Sequence, residues 1–354
     1  MKRRKIIFFL QSGVGGAERV TVTIAKMLDR SKFEVVFALL TRRNGNQTIK
    51  NFIPKTDRVI SIDNSGGIRL ILKLYECIAE EKPSIVFSSM MYINTKVLSI
   101  SWLFPKIHFV VRNNNYLYTL SIWQKTILKY SYKLADKIIA QTDEMRNELL
   151  DIGINEECVI TLHNPIDIET IESKIKAPNP FGNSKCVKYV ASGRFNYVKG
   201  FDVLIDSFSY VVQNEPQSEL YIVGKIDGPC QGYYNDVKKR INDLNLADRV
   251  HCVGFQTNPY IYVKYADCFV LSSRNEGLPN VLIEALYLGT PVAATNCIPI
   301  ISRIVKDGVT GCLAEVDNPH SLADAMLKAS KYGRIISTYK PADERTITNI
   351  FNYD

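Results

Sequence analysis

The chain has 354 residues, more than one hydrophobic core usually organises, so two domains of similar size are expected. Its 46% hydrophobic and 23% charged residues are typical of a globular protein, and no run reaches the roughly 18 apolar residues of a membrane span. The net charge of +8 is uneven, because residues 1–140 hold 23 Lys and Arg against 9 Asp and Glu while the remainder holds 21 against 27. The basic half is therefore expected to meet an anionic partner.

Cysteine and histidine spacing argues against a metal or redox site. The eight cysteines are scattered without a C-x-x-C pair, and no two of the four histidines have metal-ligand spacing. The basic start MKRRK precedes only five apolar residues and a glycine loop, which does not fit a secretory signal peptide. We expect free thiols and a cytoplasmic protein.

Short apolar strands alternate with helical patterns along the whole chain. KIIFFL, FEVVFALL, SIVFSS, HFVV, KIIAQT and VITLHN predict a first parallel-sheet domain over residues 1–167. Proline, asparagine and glycine then predict a linker over 168–184. A second series of strands and helices occupies 185–339, and a helix near 340–354 could return to the first domain. The sequence thus predicts two α/β Rossmann-like domains that face one cleft.

The first candidate loop is QSGVGGAER, which follows the first strand. Gly15 and Gly16 allow a tight turn and the close approach of a ligand to the next helix N-terminus. A dinucleotide fingerprint would need glycine where Glu18 stands, and no glycine-lysine-Ser/Thr follows. The loop is equally compatible with a packing role.

The segment SIWQKTILKYSYKLADKII places lysines at every fourth position, at 125, 129, 133 and 137. A helix with Lys125, Lys129 and Lys133 on one face suits an anionic membrane surface. A solvated lysine stripe is the equally weighted alternative.

The segment ASGRFNYVKGFDVLIDSF carries two cations after a predicted strand. Arg194 offers a planar fork and Lys199 a point charge, so together they could neutralise two phosphates. Asp202 is expected to cap the following helix. Surface cations are usually solvated, but the carboxyl end of a parallel strand is where open α/β sheets bind ligands.

The segment SSRNEGLPNVLIEALYLGTP holds two glutamates separated by seven residues. Glu276 precedes a predicted apolar helix, and Glu284 lies within it. Gly289 is expected to end this helix. A buried carboxylate is costly unless it is paired, and two hydroxyls of a ribose could satisfy Glu284. The N–H groups at Asn280 and Val281 suit a phosphate.

Together, GRFNYVKGFDVLIDSF and EGLPNVLIEALYLGTPVAAT resemble the retaining, nucleotide-sugar-dependent glycosyltransferases of family 4, which have the two-domain GT-B fold. The similarity extends to GVGGAER, HNPID and IVKDGVTGCLAEVDNPHSLADAM, so it covers essentially the whole chain. Sequences with GGAER are most similar to bacterial transferases that build capsule, O-antigen or lipid-linked glycans.

The resemblance implies a role for each matching residue. Arg194 and Lys199 would hold the diphosphate, Glu276 would contact the donor sugar, and Glu284 would bind the ribose. The remaining donor-binding positions would be Gly15, Gly16, Gly193, Phe255, Gly277, Leu278, Pro279, Asn280 and Val281.

The chain departs from the family pattern at two places. Arg112 and Asn113 stand where members often carry a histidine, and they are assigned to the acceptor side. In CIPIISRIV, Arg303 stands where an acid is expected, which puts any donor-specific contact there in doubt.

The resemblance implies transfer of a hexose or N-acetylhexosamine with retention, from a nucleotide sugar favoured to be a UDP-sugar. The expected acceptor is a glycan or a polyprenyl-diphosphate-linked glycan, on a protein peripheral to the inner face of the cell membrane. No D-x-D motif is present, so no metal is expected, and the nucleotide sugar is a substrate with no further cofactor. Alternatives are an epimerase or phosphorylase on the same fold, or a basic nucleic-acid-binding protein, which the absence of a nucleic-acid motif disfavours.

Overall fold

The computed structural model describes residues 3–41, 45, 47–226, 230–337 and 339–353. The chain forms two compact units, one of residues 1–166 with 341–354 and one of residues 167–340. The segment 168–184, expected to be a linker, therefore belongs to the second unit, and its first part is helical. Within the described ranges, no helix combines the length and the apolar character needed to cross a bilayer.

The first unit alternates strands and helices. In chain order they are β1 (Arg4–Gln11), α1 (Gly16–Lys26), β2 (Phe33–Thr41), β3 (Arg58–Asp63), α2 (Gly67–Glu81), β4 (Ile85–Ser88), α3 (Met91–Leu98), β5 (His108–Asn113), α4 (Ile122–Tyr132), β6 (Lys137–Ala140), α5 (Asp143–Asp151) and β7 (Val159–Thr161).

The seven strands of this unit form one parallel sheet in the order β3-β2-β1-β4-β5-β6-β7. The strands read as continuous apolar runs because helices cover both faces of such a sheet. Phe8 lies at its centre, with ring centroids 5.7 Å from Phe37 and 5.0 Å from Phe87. All strand carboxyl ends meet at one edge, and the loops that carry candidate residues leave from that edge.

The second unit repeats the alternation. Its elements are α6 (Ile168–Lys174), β8 (Val187–Ser192), α7 (Phe201–Asn214), β9 (Ser218–Val223), α8 (Gln231–Asp243), β10 (Val250–Gly254), α9 (Tyr260–Tyr265), β11 (Cys268–Leu271), α10 (Asn280–Tyr287), β12 (Val292–Thr295), α11 (Pro299–Ile304), β13 (Gly311–Ala314) and α12 (Pro319–Ala329).

The second sheet is also parallel, with the order β10-β9-β8-β11-β12-β13. The strand order reverses between β8 and β11, which are neighbours although two strands separate them in sequence. Cys268 pairs with Tyr189 and Phe269 with Val190. This reversal is the place where open α/β sheets leave room for a ligand between the two flanking loops.

The last helix, α13 (Glu344–Ile350), belongs to the first unit. Phe351, just beyond it, packs 6.2 Å from Phe8 and 5.8 Å from Phe87, measured between ring centroids. Lys137 donates a hydrogen bond of 2.8 Å to the Ile350 carbonyl. Lys137 lies in strand β6. The four-residue spacing predicted that it would continue the lysine series of α4, and this prediction is wrong.

Candidate functional site

Two loops of the second unit carry most of the predicted residues. One follows β8 and includes residues 193–200, and the other follows β11 and includes residues 272–279. They lie side by side because β8 and β11 are paired parallel strands. Sequence spacing alone did not reveal this neighbourhood.

Lys199 and Glu276 form an ion pair across these loops. Lys199 Nζ lies 2.5 Å from Glu276 Oε1, and the side chains are 21% and 12% exposed. Ser273 Oγ donates to the same Glu276 oxygen at 2.6 Å. Glu276 Oε2 has no hydrogen-bond partner in the part of the chain that the structure describes, which leaves it for a ligand hydroxyl.

Glycines hold the lysine against the second loop. Gly200 has φ +62°, and a Cβ there would lie 2.1 Å from the Ser272 carbonyl oxygen. Ser272 Oγ in turn donates to the Lys199 carbonyl at 2.8 Å. A Cβ at Gly193 would approach the Lys199 side chain to 3.2 Å, so the lysine stem lies over that glycine. At Gly200 any other residue would displace the loops, whereas at Gly193 a larger residue would first displace the flexible Lys199 side chain.

Gly224 was not predicted and is equally restricted. A Cβ there would lie 1.8 Å from the Gly193 carbonyl oxygen. It follows strand β9, which pairs with β8, so the backbone of the neighbouring loop comes into direct contact with it. Gly224 directly follows a strand in the segment YIVG, and this position is the sequence feature from which its role could have been predicted.

Arg194 stands apart from this ion pair. The residue is exposed, and its guanidinium makes no hydrogen bond or ion pair with any described residue. Phe195, directly after it, is fully buried, with ring centroids 5.0 Å from those of Phe201 and Tyr234. The backbone of the loop is thus anchored while the Arg194 side chain stays available to an anion.

Arg274 ties the two loops together and was not predicted. Its guanidinium binds both carboxylate oxygens of Asp202 at 2.9 and 2.8 Å, and Nε lies 2.6 Å from Asp317 Oδ1. It also donates to the Tyr197 carbonyl at 2.7 Å and stacks on that ring at 3.8 Å. Its backbone N–H donates to the Val198 carbonyl at 2.7 Å. Arg274 therefore braces the short 3-10 turn that carries Lys199.

The predicted capping role of Asp202 is wrong. Gly200 occupies the N-cap of α7, and Asp202 lies inside the first turn. Its carboxylate accepts from Arg274 and, at 2.6 Å, from Tyr233 Oη. Burial raises the pKa of Asp202, but the hydrogen bonds from Arg274 and Tyr233 outweigh it and lower the pKa overall. The carboxylate is used for tertiary contacts because an arginine fork binds it better than backbone N–H groups would.

Helix α10 begins at Asn280, directly after Pro279. Its N-cap residue, Pro279, makes no side-chain cap hydrogen bond, and the first turn of the helix lies at the end of the second loop. Glu284 is 8% exposed, as its apolar surroundings predicted, and lies four residues after Asn280 on the same helical face. Gly289, with φ +73°, ends the helix as expected.

The other predicted donor-binding residues lie along the same edge. Leu278 and Pro279 are buried in the second loop, while Gly277 and Val281 are partly exposed. Phe255 follows edge strand β10 and is 55% exposed. An exposed phenylalanine can stack on a planar ring.

Cys297, just beyond β12, lies close enough to Glu276 and Lys199 to be affected by their charges. Burial raises the pKa of its thiol to about 12, and the Glu276 charge adds to this effect. The thiol is therefore protonated near neutral pH and is a poor nucleophile.

In the first unit, the predicted Gly15 and Gly16 lie at the start of α1. A Cβ at Gly15 would lie 2.5 Å from Glu18 Oε2, so the carboxylate folds back over that glycine. A negative group already at the helix start disfavours a phosphate at the same place. Beside this loop is a cavity of about 490 Å³, and the described residues that line it are Gln11, Ser12, Gly13, Leu40, Gly45, Asn64, Ser65, Gly66 and Tyr92.

Arg112 and Asn113 lie at the end of β5, and they are 1% and 2% exposed. Burial lowers the pKa of Arg112 to about 9, which still leaves it charged at neutral pH. The guanidinium contacts neutral side chains, including Ser89, Asn114 and Asn164.

Helix α4 presents apolar residues to solvent together with its lysines. Trp123 is 79% and Tyr130 66% exposed, and Lys133 is exposed while Lys125 and Lys129 are partly buried. Ser121 caps the helix start in a capping box with Gln124. Only Leu128 and Tyr132 of this helix are buried. We call Trp102, Tyr118, Ile122, Trp123, Ile127 and Tyr130, with Lys125, Lys129 and Lys133, the aromatic-basic surface.

The two parallel-sheet units have the fold of the GT-B enzymes. A crystal structure of the Anabaena protein HepE in complex with UDP and glucose superposes with a TM-score of 0.79, covering 98% of both chains at 21% identity. The family model for glycosyl transferases group 1 matches residues 172–344, and the model for glycosyltransferase family 4 matches residues 14–170. The chain belongs to the glycosyltransferases of this group 1 and family 4 type.

Two sequence relatives agree with this assignment. An uncharacterized glycosyltransferase of Methanocaldococcus jannaschii is 32% identical over 246 residues, spanning 64% of this chain and 58% of the relative's length. A transferase of Campylobacter jejuni serotype O:2 is 26% identical over 359 residues, spanning 94% and 92%. Its name is N-acetylgalactosamine-N,N'-diacetylbacillosaminyl-diphospho-undecaprenol 4-alpha-N-acetylgalactosaminyltransferase.

Proposed function

We propose that this glycosyltransferase moves a hexose or N-acetylhexosamine, with retention, from a UDP-sugar to a lipid-linked glycan in surface polysaccharide or glycan biosynthesis. The observation that carries the proposal is the Lys199–Glu276 pair, held at 2.5 Å beside Gly193 where β8 and β11 end. The UDP complex of HepE and the diphospho-undecaprenol in the name of the Campylobacter relative support the donor and acceptor classes.

The charges of the second unit suit a nucleoside diphosphate. An ammonium group has three N–H donors, and Lys199 uses one on Glu276, so two remain for phosphate oxygens. The exposed Arg194 adds a planar fork, and the first turn of α10 adds backbone N–H groups. In this proposal Glu284 binds the ribose hydroxyls and Glu276 Oε2 accepts from a sugar hydroxyl. Phe255, Gly277, Leu278 and Val281 complete the donor site.

The proposed reaction proceeds on one face of the sugar. The bond between the anomeric carbon and the leaving phosphate oxygen breaks, and its electron pair stays on that oxygen. The acceptor hydroxyl bonds to the same face of the carbon and passes its proton to the leaving phosphate oxygen. Lys199 and Arg194 stabilise the growing negative charge on the phosphate, so the step requires neither a metal nor a protein nucleophile.

The acceptor is assigned to the first unit. Its cavity of about 490 Å³ is lined by hydroxyl and amide side chains, which suit a sugar. The aromatic-basic surface combines exposed rings with lysines, and no acidic residue occurs between Lys82 and Ala135. Such a surface binds anionic lipid head groups, which would bring the protein to the inner face of the membrane and to a polyprenyl-diphosphate acceptor.

The proposal is tested by incubating the protein with UDP-, GDP- and ADP-sugars and with polyprenyl-diphosphate-linked glycans. We expect product only with a UDP-sugar, and nuclear magnetic resonance of the product should show the anomeric configuration of the donor. A product of inverted configuration would overturn the mechanism, and transfer from GDP- or ADP-sugars alone would overturn the donor. Epimerised nucleotide sugar without transfer would instead favour an epimerase.

A further inference from the structure

Arg112 is the centre of a buried polar cluster at the carboxyl edge of the first sheet. Ser89 follows β4, Asn114 follows β5, Gln141 follows β6, and Asn164 lies three residues beyond β7. Ser89, Gln141 and Asn164 are 2%, 4% and 2% exposed. Four consecutive strand ends of this sheet therefore each contribute one uncharged polar side chain around a single cation.

The guanidinium contacts oxygen atoms of three of these side chains. Nη1 donates to Ser89 Oγ at 3.2 Å and to Asn114 Oδ1 at 2.7 Å, and Nη2 donates to Asn164 Oδ1. Gln141 Nε2 also donates to Asn114 Oδ1, at 2.9 Å, which fixes that amide. Arg112 Nε is buried and has no hydrogen-bond partner among the residues that the structure describes. A guanidinium has five N–H groups, so Nε–H and one N–H of Nη2 are unused.

The cation has no counter-ion. In the part of the chain that the structure describes, no carboxylate pairs with Arg112, and burial alone accounts for its lowered pKa. A buried charge without an opposite charge is costly, and a structural hydrogen-bond centre could use a neutral residue. The arrangement does fit an oxyanion, because an arginine fork binds carboxylate and phosphate with two parallel bonds.

We propose that Arg112, with Ser89, Asn114 and Asn164, forms an oxyanion site that takes the phosphate or carboxylate group of the sugar acceptor. The assignment to the acceptor rests on the proposed function, whereas the binding of an anion does not. Two sources share this chemistry, namely the diphosphate of a lipid-linked acceptor and the carboxylate of an acidic sugar.

The site is tested by calorimetric titration of the full chain with inorganic pyrophosphate, and separately with glucuronate. UDP is present at saturation, so that the cations of the second unit are occupied. We expect one remaining site in the wild type and in Lys331→Ala, a control at an exposed position of the second unit. In Arg112→Gln its affinity should fall at least about tenfold, because two charge-assisted hydrogen bonds are lost. Pyrophosphate binding indicates a diphosphate source, and glucuronate binding an acidic sugar.

Arg112→Lys and Arg112→Met separate this role from a structural one. Lysine keeps the charge without the fork, so it should retain part of the pyrophosphate affinity. Methionine removes the unpaired buried charge, so the thermal midpoint without anion should be unchanged or higher. A wild type that binds neither anion in the presence of UDP would overturn the proposal, as would equal affinity in Arg112→Gln. Because no turnover is measured, a failure of sugar transfer alone would count against the proposed function only.

Discussion

Lys199 Nζ and Glu276 Oε1 are 2.5 Å apart, although 77 positions separate the two residues in sequence. The pair neutralises both charges while no donor is bound, and it fixes the lysine directly over Gly193. An anionic diphosphate can share the lysine without breaking the pair, because two of its N–H groups remain unused. In the proposed function the site is therefore organised before the donor arrives, and this is the condition under which electrostatic stabilisation of a leaving group is most effective.

Lys199→Ala and Glu276→Gln test this pair. We expect kcat to fall by about 10²–10³ in Lys199→Ala, because in the proposed mechanism the lysine acts on charge that develops in the transition state. In Glu276→Gln the lysine loses its fixed position, so kcat should also fall, and the double variant should lose less than the product of the two effects. Steady-state kinetics with a UDP-sugar provides the measurement.

Lys331→Ala, at an exposed position of the same unit, is the control and should behave as wild type. Near-normal kcat in Lys199→Ala would contradict the assignment.

Gly200→Ala and Gly182→Ala separate backbone strain from steric clash. Both glycines have positive φ, at +62° and +59°, so each alanine should cost about 1–2 kcal/mol from strain alone. At Gly200 the new Cβ would also lie 2.1 Å from the Ser272 carbonyl oxygen, whereas at Gly182 nothing lies within 4 Å. Gly200→Ala should therefore lose clearly more unfolding free energy, measured in urea, and should also weaken UDP binding. Equal losses in the two variants would show that the loops move apart easily.

Arg274→Gln tests whether this arginine positions the lysine turn. The change removes the fork to Asp202 and the stacking on Tyr197, so the unfolding free energy should fall by about 1.5–3 kcal/mol. The matched control is Arg240→Gln, which removes a more exposed pair with Asp206 and should cost less than about 1 kcal/mol. A structural role alone would leave the kinetics of the folded enzyme unchanged. We expect kcat to fall in Arg274→Gln and to be partly restored in Arg274→Lys.

The Asp202 carboxylate should make stability depend on acid. Its pKa is lowered from 3.8 in the folded chain, so its contribution is complete well above pH 3.8 and is lost as the pH falls through and below that value. The difference in unfolding free energy between wild type and Asp202→Asn should therefore shrink from pH 7 to pH 3. Urea unfolding at the two pH values measures it. A difference that stays constant between the two pH values would mean that packing, rather than ionisation, accounts for the contribution of Asp202 to stability.

Cys297 should be neither reactive nor essential, despite its closeness to Glu276. Its pKa is raised to about 12, so the thiolate fraction at pH 8 is about 10⁻⁴. Alkylation by iodoacetamide, followed by mass spectrometry, should be slow at pH 8 and become fast only above pH 11. In urea the thiol is no longer buried, so labelling should already be fast at pH 9. Turnover of Cys297→Ala should stay within about threefold of wild type, since no covalent step is assigned to the thiol. A loss of several orders of magnitude would contradict this.

The aromatic-basic surface should respond to anionic membranes. The chain has two tryptophans, Trp102 and Trp123, and they are 71% and 79% exposed. Vesicles of phosphatidylglycerol should shift their fluorescence to shorter wavelength, and vesicles of phosphatidylcholine should do so weakly. Changing Lys125, Lys129 and Lys133 to Glu should abolish the shift. The matched control changes Lys185, Lys239 and Lys331, three exposed lysines of the second unit, to Glu. An equal loss in both triple variants would indicate a response to net charge rather than to this surface.

Local patterns were sufficient to predict the elements and some local features of the candidate loops. The apolar runs predicted the two parallel sheets, Gly289 predicted the end of α10, and the apolar neighbours of Glu284 predicted its burial. These features depend on residues close together in sequence, where the periodicity of a strand or helix and the conformational freedom of glycine are direct constraints. The resemblance added the class of enzyme, and the two family models support it.

The sequence by itself determined which residues end the strands and which charges the loops carry. Only the tertiary structure decided which of those charges meet. Lys199 pairs with Glu276, Arg274 binds the Asp202 carboxylate that was expected to cap a helix, and Arg112 has no counter-ion among the described residues. The physical reason is the strand order, which makes β8 a neighbour of β11 and brings together loops that are distant along the chain. The periodicity of a sequence predicts which face of its own helix or strand a side chain occupies. A contact between side chains of two different loops depends on which strands pair, and strand pairing is a long-range property.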